Sequence, residues 1–384
     1  MRYTCCPVCG SSALQPSISF RAPVFSNVIY QDELAARNAP QGDFEGVYCE
    51  QCGHFFNQIF DESLLVYTEA YDTSLHFSAS FQEYAENLAN RLVNTYDLRN
   101  KSIIEIGCGR GDFLRMLCEG KGNQGFGFDT SYDDRQADGT DEFLTFYQEY
   151  YDKKFADIPA NLVVCRHVLE HVDDPVGFLK NLRSVPSWNE DTVVYFEVPN
   201  GMYSFEQLGI WDFIYEHFSY FNAASLRLTF EMAGFEVLHV AEDFGGQYLC
   251  LEARVSNAPV HAEAKTPAHV MDCLNQLLPR YNNKMEEWRQ HIAEFGQAGF
   301  AIWGSGSKGV SFANLIAGDA CKFLVDVNPG KQNTYIAGAG LPVRAPATLE
   351  SGEVGTFVVM NPVYETEIRG MLQEAGIDGQ VMVA

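Results

Sequence analysis

The chain has 384 residues, 46% of them hydrophobic, and a formal net charge of −25. That much apolar material excludes disorder and suits two or three domains. So acidic a chain does not hold nucleic acid by general electrostatics, because phosphate binding needs clustered Lys and Arg, and the same charge argues against an anionic membrane surface. A phosphorylated small molecule held by a few local cations remains open.

The N-terminus, "MRYTCCPVCG", carries no apolar signal segment, and no run approaches the ~20 apolar residues of a membrane span. A cytoplasmic protein is expected. Its eleven Cys then stay mostly reduced, and paired Cys point to metal before disulfide.

Three blocks are expected: 1–75, 76–255 and 256–384. In the first, Cys6 and Cys9 form one CxxC and Cys49 and Cys52 another, each followed by Gly (Gly10, Gly53). Four thiolates suit one tetrahedral Zn²⁺ and leave no position for water, so the zinc expected here is structural. Neither pair follows a strand in a βαβ setting, which disfavours a redox motif. Cys5 is a rival for one ligand place.

The second block opens with a helical pattern, "FQEYAENLANRLVNTY". An apolar strand then runs into "IIEIGCGRGDFL", which places Glu105, Gly107, Gly109 and Gly111 at a strand-to-helix turn. Glycines let a backbone approach a ligand closely and adopt positive φ. Asp129 ends the next strand, in "QGFGFDTS", suitably placed for ribose hydroxyls. The spacing E-x-G-x-G-x-G resembles the S-adenosylmethionine (SAM) turn of class I methyltransferases and differs from the dinucleotide G-x-G-x-x-G. "NLVVCRHVLEHVDDPVGFLKNL" reads as a further strand, loop and helix and resembles the same enzymes' region beside the methyl donor. His167 lies in that region and is counted with the donor-binding residues; Arg166 is read equally as facing substrate or as a solvated loop residue. The strand–helix alternation predicts a parallel α/β sheet.

Further on, "IYEHFSYF" sets Glu216 and His217 side by side among large apolar and aromatic residues, after the strand reading "TVVYFEVPN". That is either a well-packed wall or a base with its support in an apolar wall. The third block begins with an amphipathic helix whose stripe is Met271, Leu274, Leu278, Tyr281, Met285, Trp288 and Ile292. "GFAIWGSGSKGVSFANLI" follows as strand, glycine turn and helix. Gly304, Gly306 and Gly309 fit G-x-G-x-x-G, with Asp326 beyond, so NAD is one reading. A Rossmann-like scaffold with no dinucleotide, or a turn binding a phosphate of the substrate beside Lys308, is the other.

Taken together, the double CxxC, "IEIGCGRGDFL", "HVLEHVDDP", "YEHFSYF", "GSGSKG" and "FLVDVNPGKQNTYIAGAGLPV" resemble, over nearly the whole length, the three-domain SAM-dependent sugar C-methyltransferases that act on nucleotide-linked 4-keto-deoxysugars. The resemblance implies a small zinc-binding N-terminal domain, a central class I Rossmann-like SAM methyltransferase domain and a C-terminal Rossmann-like α/β domain on the substrate side. It implies that a proton alpha to a ketone is removed and that the enolate attacks the SAM methyl group. His217 matches the family's base, with Glu216 orienting it or supporting its charge. His171 matches a second active-site histidine, placed to hydrogen-bond the enolate oxygen; His167 has no such match. The family usually reads Tyr-His-Glu-His-x-Ser-Tyr-Phe, whereas here Tyr215 directly precedes Glu216. Tyr71, in "VYTEAYDTSLHFS", is the nearest match to the family's tyrosine-rich stretch after the zinc domain. Both tyrosines are carried as candidate catalytic residues.

The leading expectation is therefore C-methylation of a nucleotide-linked keto-sugar. The rivals are a SAM-dependent O- or N-methyltransferase on another small metabolite, an NAD-dependent oxidoreductase using the 304–309 turn, and a non-catalytic scaffold.

Overall fold

The computed structural model describes residues 2–65, 77–132, 142–256 and 263–384. Its strands in chain order are β1 (Leu14–Pro23), β2 (Gln41–Cys49), β3 (Phe55–Asn57), β4 (Ser102–Ile106), β5 (Gln124–Phe128), β6 (Leu144–Tyr147), β7 (Leu162–Arg166), β8 (Val193–Pro199), β9 (Ser219–Tyr220), β10 (Phe235–Asp243), β11 (Tyr248–Val255), β12 (Phe300–Trp303), β13 (Cys321–Val325), β14 (Thr334–Tyr335), β15 (Pro342–Arg344), β16 (Thr356–Val359) and β17 (Gln380–Val383). They form three sheets, with orders β1-β2-β3-β9, β10-β11-β8-β7-β4-β5-β6 and β14-β15-β13-β12-β16-β17.

The central sheet is parallel from β6 through β8 and gains its antiparallel element from β11. Its inner strands β4 and β7 are buried along nearly their whole length, as a sheet covered on both faces requires, so they read as continuous apolar runs instead of alternating ones. The helix Ala79–Thr95 starts where Ser78 Oγ accepts from the Phe81 N–H, and its buried face of Phe81, Ala85, Leu88, Ala89 and Leu92 keeps helical spacing. It packs on the sheet with Ile103, Leu162 and Tyr195. This is an α/β, Rossmann-like architecture. The chain turns back at β4, with β5 on one side and β7 on the other, and ligands bind outside the carboxyl ends of strands at such a switch point.

The third sheet repeats this arrangement around β12, with β13 and β16 parallel to it on either side. The helix leading into it, Ala268–Phe295, is longer than the predicted stripe, and its buried face is Val270, Leu274, Leu277, Tyr281, Met285 and Trp288. Leu278 is 42% exposed: Leu277 takes the inward position, because the helix's periodicity is 3.6 and not the integer steps read from the sequence.

The first sheet is not built from the first block alone. Its edge strand β9 comes from "IYEHFSYF", with Phe55 opposite Tyr220 and Phe56 opposite Ser219. That pairing fixes the candidate catalytic stretch to the cysteine-bearing sheet. No helix among the described residues is long and apolar enough to cross a membrane.

Candidate functional site

The four expected cysteines converge. Cys6 Sγ lies 3.6 Å from Cys52 Sγ and Cys9 Sγ 3.5 Å from Cys49 Sγ, and all four sulfurs fall within 4.8 Å of one another. The two knuckles share one turn: the Gly10 N–H donates to the Cys6 carbonyl and the Gly53 N–H to the Cys49 carbonyl, with φ of 75° and 66°. Each turn needs the left-handed conformation that Gly adopts without strain. Sulfurs about 2.3 Å from a tetrahedral Zn²⁺ sit roughly 3.8 Å apart, so the quartet fits that ion. Cys5 is exposed and stands outside the four.

At the end of β4, Gly107, Gly109 and Gly111 all have positive φ. A Cβ on Gly107 would lie 2.3 Å from Val168 Cγ2, and one on Gly111 would lie 2.4 Å from the Phe146 ring. Gly109 has open space instead. Its N–H donates to Asp129 Oδ2 at 2.9 Å, while Asp129 Oδ1 accepts from the Ser131 N–H and Oγ–H at 2.8 and 2.6 Å. Asp129 thus ties the end of β5 to the glycine turn. Glu105 is buried, its Oε2 has no hydrogen-bond partner, and burial pushes its carboxyl up to about 8. The open cradle at Gly109 and the orphaned Glu105 oxygen suit a polar ligand such as SAM, whose amino group and ribose hydroxyls need acceptors.

The turn opens into a cavity of about 1190 Å³. Its wall runs from Gly107 and Asp129, past His167, Glu170, His171, Glu216 and His217, to Gly304, Lys308 and Asp326 at the carboxyl ends of β12 and β13. The switch points of both Rossmann-like sheets therefore face one space.

Local packing explains how "IYEHFSYF" presents its polar pair. Tyr215 and Phe218 sink into an aromatic cluster with Val47, Phe56 and Phe60. Phe213 and Tyr220 join the cluster containing Phe44 and Phe55. The Tyr220 hydroxyl closes the loop, accepting from the Ile214 N–H at 2.9 Å and donating to its carbonyl at 3.0 Å. The Asn57 N–H donates to the Phe218 carbonyl. With the aromatic residues anchored behind, Ile214, Glu216 and His217 are left at the cavity wall.

His217 and His171 meet there, their rings 5.0 Å apart. His171 Nδ1 donates to the Glu216 carbonyl oxygen at 2.8 Å. Burial lowers His217 to about 3, so its imidazole is neutral. Its Nδ1 has no hydrogen-bond partner. Glu216 is fully buried and its Oε1 accepts from the Ser26 N–H at 3.2 Å.

Tyr215 does not reach the cavity. Its ring packs against Phe60 and Gly42, and its hydroxyl accepts from the Asp61 N–H at 3.1 Å. Being aromatic next to the Glu-His pair, it alternates to the opposite side and serves the core. Tyr71 lies outside the described residues.

His167 has a φ of +55°, and its Nε2 lies 3.0 Å from Glu197 Oε1 and its Nδ1 3.6 Å from Glu170 Oε1. Burial alone would lower it, but the two carboxylates hold it up to about 9. Arg166 is no solvated loop residue: it is 9% exposed and its guanidinium bonds Glu197 Oε1 at 2.8 Å. Glu197 is fully buried, and although burial opposes ionisation, Arg166 and His167 hold it well below the usual carboxylate range. Tyr84 and Tyr195 donate to its other oxygen. Sequence reasoning missed Glu170 and Glu197. "HVLEH" and "YFEVP" did hold the signal, a lone acid inside an otherwise apolar strand or turn, which survives burial only beside cations.

At the second turn, Asp326 Oδ2 accepts from the Ser305 N–H and Oγ–H at 2.9 and 2.6 Å. Lys308 lines the cavity but is engaged: its Nζ lies 3.0 Å from Asp212 Oδ2 and donates to Gln247 Oε1 at 2.6 Å. Gln247 in turn donates to Asn361 Oδ1. This chain of contacts clamps the central sheet to the third. Lys331, 7% exposed, donates to Asn27 Oδ1 at the same end of the cavity.

Residues 78–240 match the model of a methyltransferase domain, and residues 252–384 that of a C-methyltransferase C-terminal domain. No curated protein matches the chain. Among solved structures, the magnesium protoporphyrin IX methyltransferase of Synechocystis with bound SAH is 18% identical over 46% of this chain and 84% of its own, at a TM-score of 0.36. The 1,6-didemethyltoxoflavin-N1-methyltransferase of Burkholderia thailandensis is 14% identical over 46% of this chain and 80% of its own, at a TM-score of 0.35. With overlaps this partial, the functional reading rests on the two family matches. By those matches the chain is a SAM-dependent methyltransferase that carries a C-methyltransferase C-terminal domain.

Proposed function

We propose that the enzyme transfers the methyl group to carbon, on a nucleotide-linked keto-sugar. The observation that carries this is the placement of a neutral imidazole, His217, and a second one, His171, on one wall of a cavity that joins the donor turn at Gly107–Asp129 to the second glycine turn at Gly304–Lys308. Carbon methylation needs a base for a C–H proton and a donor for the oxygen that becomes an enolate.

SAM, held at Glu105, Gly107, Gly109, Gly111 and Asp129, supplies an electrophilic methyl group. His217 takes the proton alpha to the ketone, and His171 donates to the enolate oxygen. The far end of the cavity, with Lys331 and Asp326, receives the nucleotide-bearing part of the substrate. Lys308 is the weaker candidate there, since Asp212 and Gln247 already satisfy it. Cys6, Cys9, Cys49 and Cys52 hold one structural Zn²⁺; the ion fixes the first sheet, and β9 on that sheet's edge fixes His217.

The test is solvent exchange. Purified enzyme with SAM is offered nucleotide-linked keto-sugars in deuterated buffer, and substrate and product are read by mass spectrometry. The expected result is incorporation of deuterium at the carbon alpha to the ketone and a product heavier by one methyl group on carbon. A product methylated on oxygen or nitrogen, with no carbon-bound exchange, would place the enzyme among O- or N-methyltransferases instead.

A further inference from the structure

Phe244, at the turn of the β10–β11 hairpin, has a φ of +49°. A bulky aromatic residue rarely takes that conformation. Strain of this kind persists only where the surroundings hold it, and it clusters at functional sites. The Phe244 ring is buried and gripped. It stacks on Tyr248 at 4.9 Å and 11°, stands edge-on to Phe81 at 5.7 Å and tilts against Tyr84 at 5.0 Å. From the third block, the Tyr364 ring lies 6.1 Å away. Further along the turn, Gln247 is clamped by Lys308 and Asn361. The hairpin tip is thus fixed from both Rossmann-like sheets, and the Tyr248 ring is fixed with it.

Tyr248 opens β11 opposite Pro199, at the carboxyl end of β8, and both residues line the cavity. Its ring meets that of His167 edge-on, 4.7 Å between centres. His167 leads along the same wall to Glu170 at 3.6 Å, and Glu170 to His171 at 3.9 Å. On its other side Gln247 gives the link to Lys308 and the second glycine turn. Tyr248 therefore stands between the histidine pair and the third block, where an acceptor reaching from one glycine turn to the other must pass. Nearby tyrosines are committed: Tyr84 and Tyr195 donate to Glu197, Tyr215 accepts from the Asp61 N–H, and Tyr220 is bound to Ile214. The Tyr248 hydroxyl makes no hydrogen bond among the described residues, although the residue is part-buried. Phenolic hydroxyls in such places usually have a partner. Burial, with Tyr364 and Glu197 nearby, pushes its pKa up, so the hydroxyl keeps its proton and offers a donor.

We infer that Tyr248 is a specificity-determining residue of the acceptor site: its hydroxyl donates to one hydroxyl oxygen of the sugar as the substrate lies against the His171–His217 wall, and the strained Phe244 beneath it sets the ring. A site built to pair one substrate oxygen discriminates against the analogue that lacks it. The bond is made on binding and persists through the reaction, so it acts on affinity, whereas His217 and His171 act on the proton. This rests on the proposed keto-sugar reading, and the test keeps the two apart.

Tyr248→Phe keeps the ring and its stack and removes only the hydroxyl. Full-length zinc-loaded enzyme is assayed with SAM and the nucleotide-linked keto-sugar that the wild type methylates, and again with analogues of that acceptor each lacking one sugar hydroxyl. Melting temperature and SAM affinity are expected to match the wild type. The value of kcat/KM should fall about 2–12-fold, as for one lost neutral hydrogen bond, with the loss in KM. One analogue should show the same fall with the wild type and no further fall with Tyr248→Phe. An unchanged KM in Tyr248→Phe overturns the inference. So do losses that add for every analogue, and so does a loss confined to kcat, which would put the hydroxyl on the enolate oxygen. The product reports on the underlying reading. A methyl group on oxygen or nitrogen removes the carbon chemistry while the KM comparison still decides Tyr248, and a wild type that methylates no nucleotide-linked keto-sugar removes both.

Discussion

The Nδ1–H of His171 donates to the backbone carbonyl of Glu216 at 2.8 Å, joining the loop after β7 to the loop before β9. A histidine on the donor-binding sheet is thereby held against a stretch whose strand belongs to the cysteine-bearing sheet. The bond fixes the His171 tautomer and orientation without using a side chain of the partner. It predicts that Glu216 substitutions leave His171 in place, because the backbone carbonyl persists.

On that ground His217→Asn and Glu216→Gln are expected to differ sharply. Loss of a general base costs about 10²–10⁴-fold in turnover, and His217→Asn should fall in that range with SAM binding retained. Glu216→Gln should keep most activity and fold slightly less stably, since Oε1 still accepts from the Ser26 N–H. Steady-state rates with calorimetric SAM titration check both. Full turnover in His217→Asn would send the search for the base to His171.

Asp129 is the next point of leverage. Asp129→Ala removes the acceptor for the Gly109 N–H and for Ser131, and with it the proposed acceptor for the ribose hydroxyls. Each hydrogen bond to a charged group contributes roughly 1.5–3 kcal/mol, so SAM affinity is expected to drop by one to a few orders of magnitude. Asp129→Asn keeps an acceptor and should lose less. An unchanged dissociation constant in Asp129→Ala would place the ribose elsewhere.

How much of this was legible in the sequence follows from what kind of residue carries each feature. The glycine turns and the CxxC knuckles were legible because backbone conformation at Gly107 or Gly53 demands glycine, and thiolate spacing is set locally. The strand–helix alternation was legible because buried parallel strands read as apolar runs. Tyr215 was misplaced because side-chain alternation next to Glu216 depends on the aromatic cluster of Phe56 and Phe60, which comes from far along the chain. Glu197 and Arg166 were not legible as a pair, since β7 and β8 bring them together only in the sheet.

Zinc removal is expected to act at a distance. Structural zinc contributes directly to folding, and the metal-free chain should lose the first sheet and with it the β9 pairing that holds His217. Elemental analysis should find one Zn²⁺ per chain. Cys49→Ser should lower both thermal stability and turnover, with SAM binding less affected, because the Gly107–Asp129 turn sits on the central sheet. Protein without zinc yet fully stable and active would remove the ion from the account.

The buried Glu197 group gives the last prediction, and its sign can be worked out. Its carboxylate is held far below the usual range by Arg166 and His167, against the opposing effect of burial. Such a group contributes stability above its unfolded-state pKa and loses it as pH falls. His167, held up to about 9, does the reverse: its contribution is complete below its unfolded value near 6.5 and is lost as pH rises through about 9. The pair therefore stabilises the enzyme most between the ordinary carboxylate and imidazole ranges, and weakens it on both sides. Glu197→Gln leaves Arg166 buried without its counter-charge, and breaking a buried pair this way costs about 3–5 kcal/mol. His167→Asn should cost less, because Asn tolerates the left-handed backbone there and Arg166 keeps its partner. Melting temperatures of the two variants and the wild type, taken from mildly acidic to mildly basic pH, check this. In His167→Asn the decline on the basic side should flatten while the acidic decline remains. A basic-side decline that persists unchanged in His167→Asn would show that His167 is not held protonated by Glu170 and Glu197.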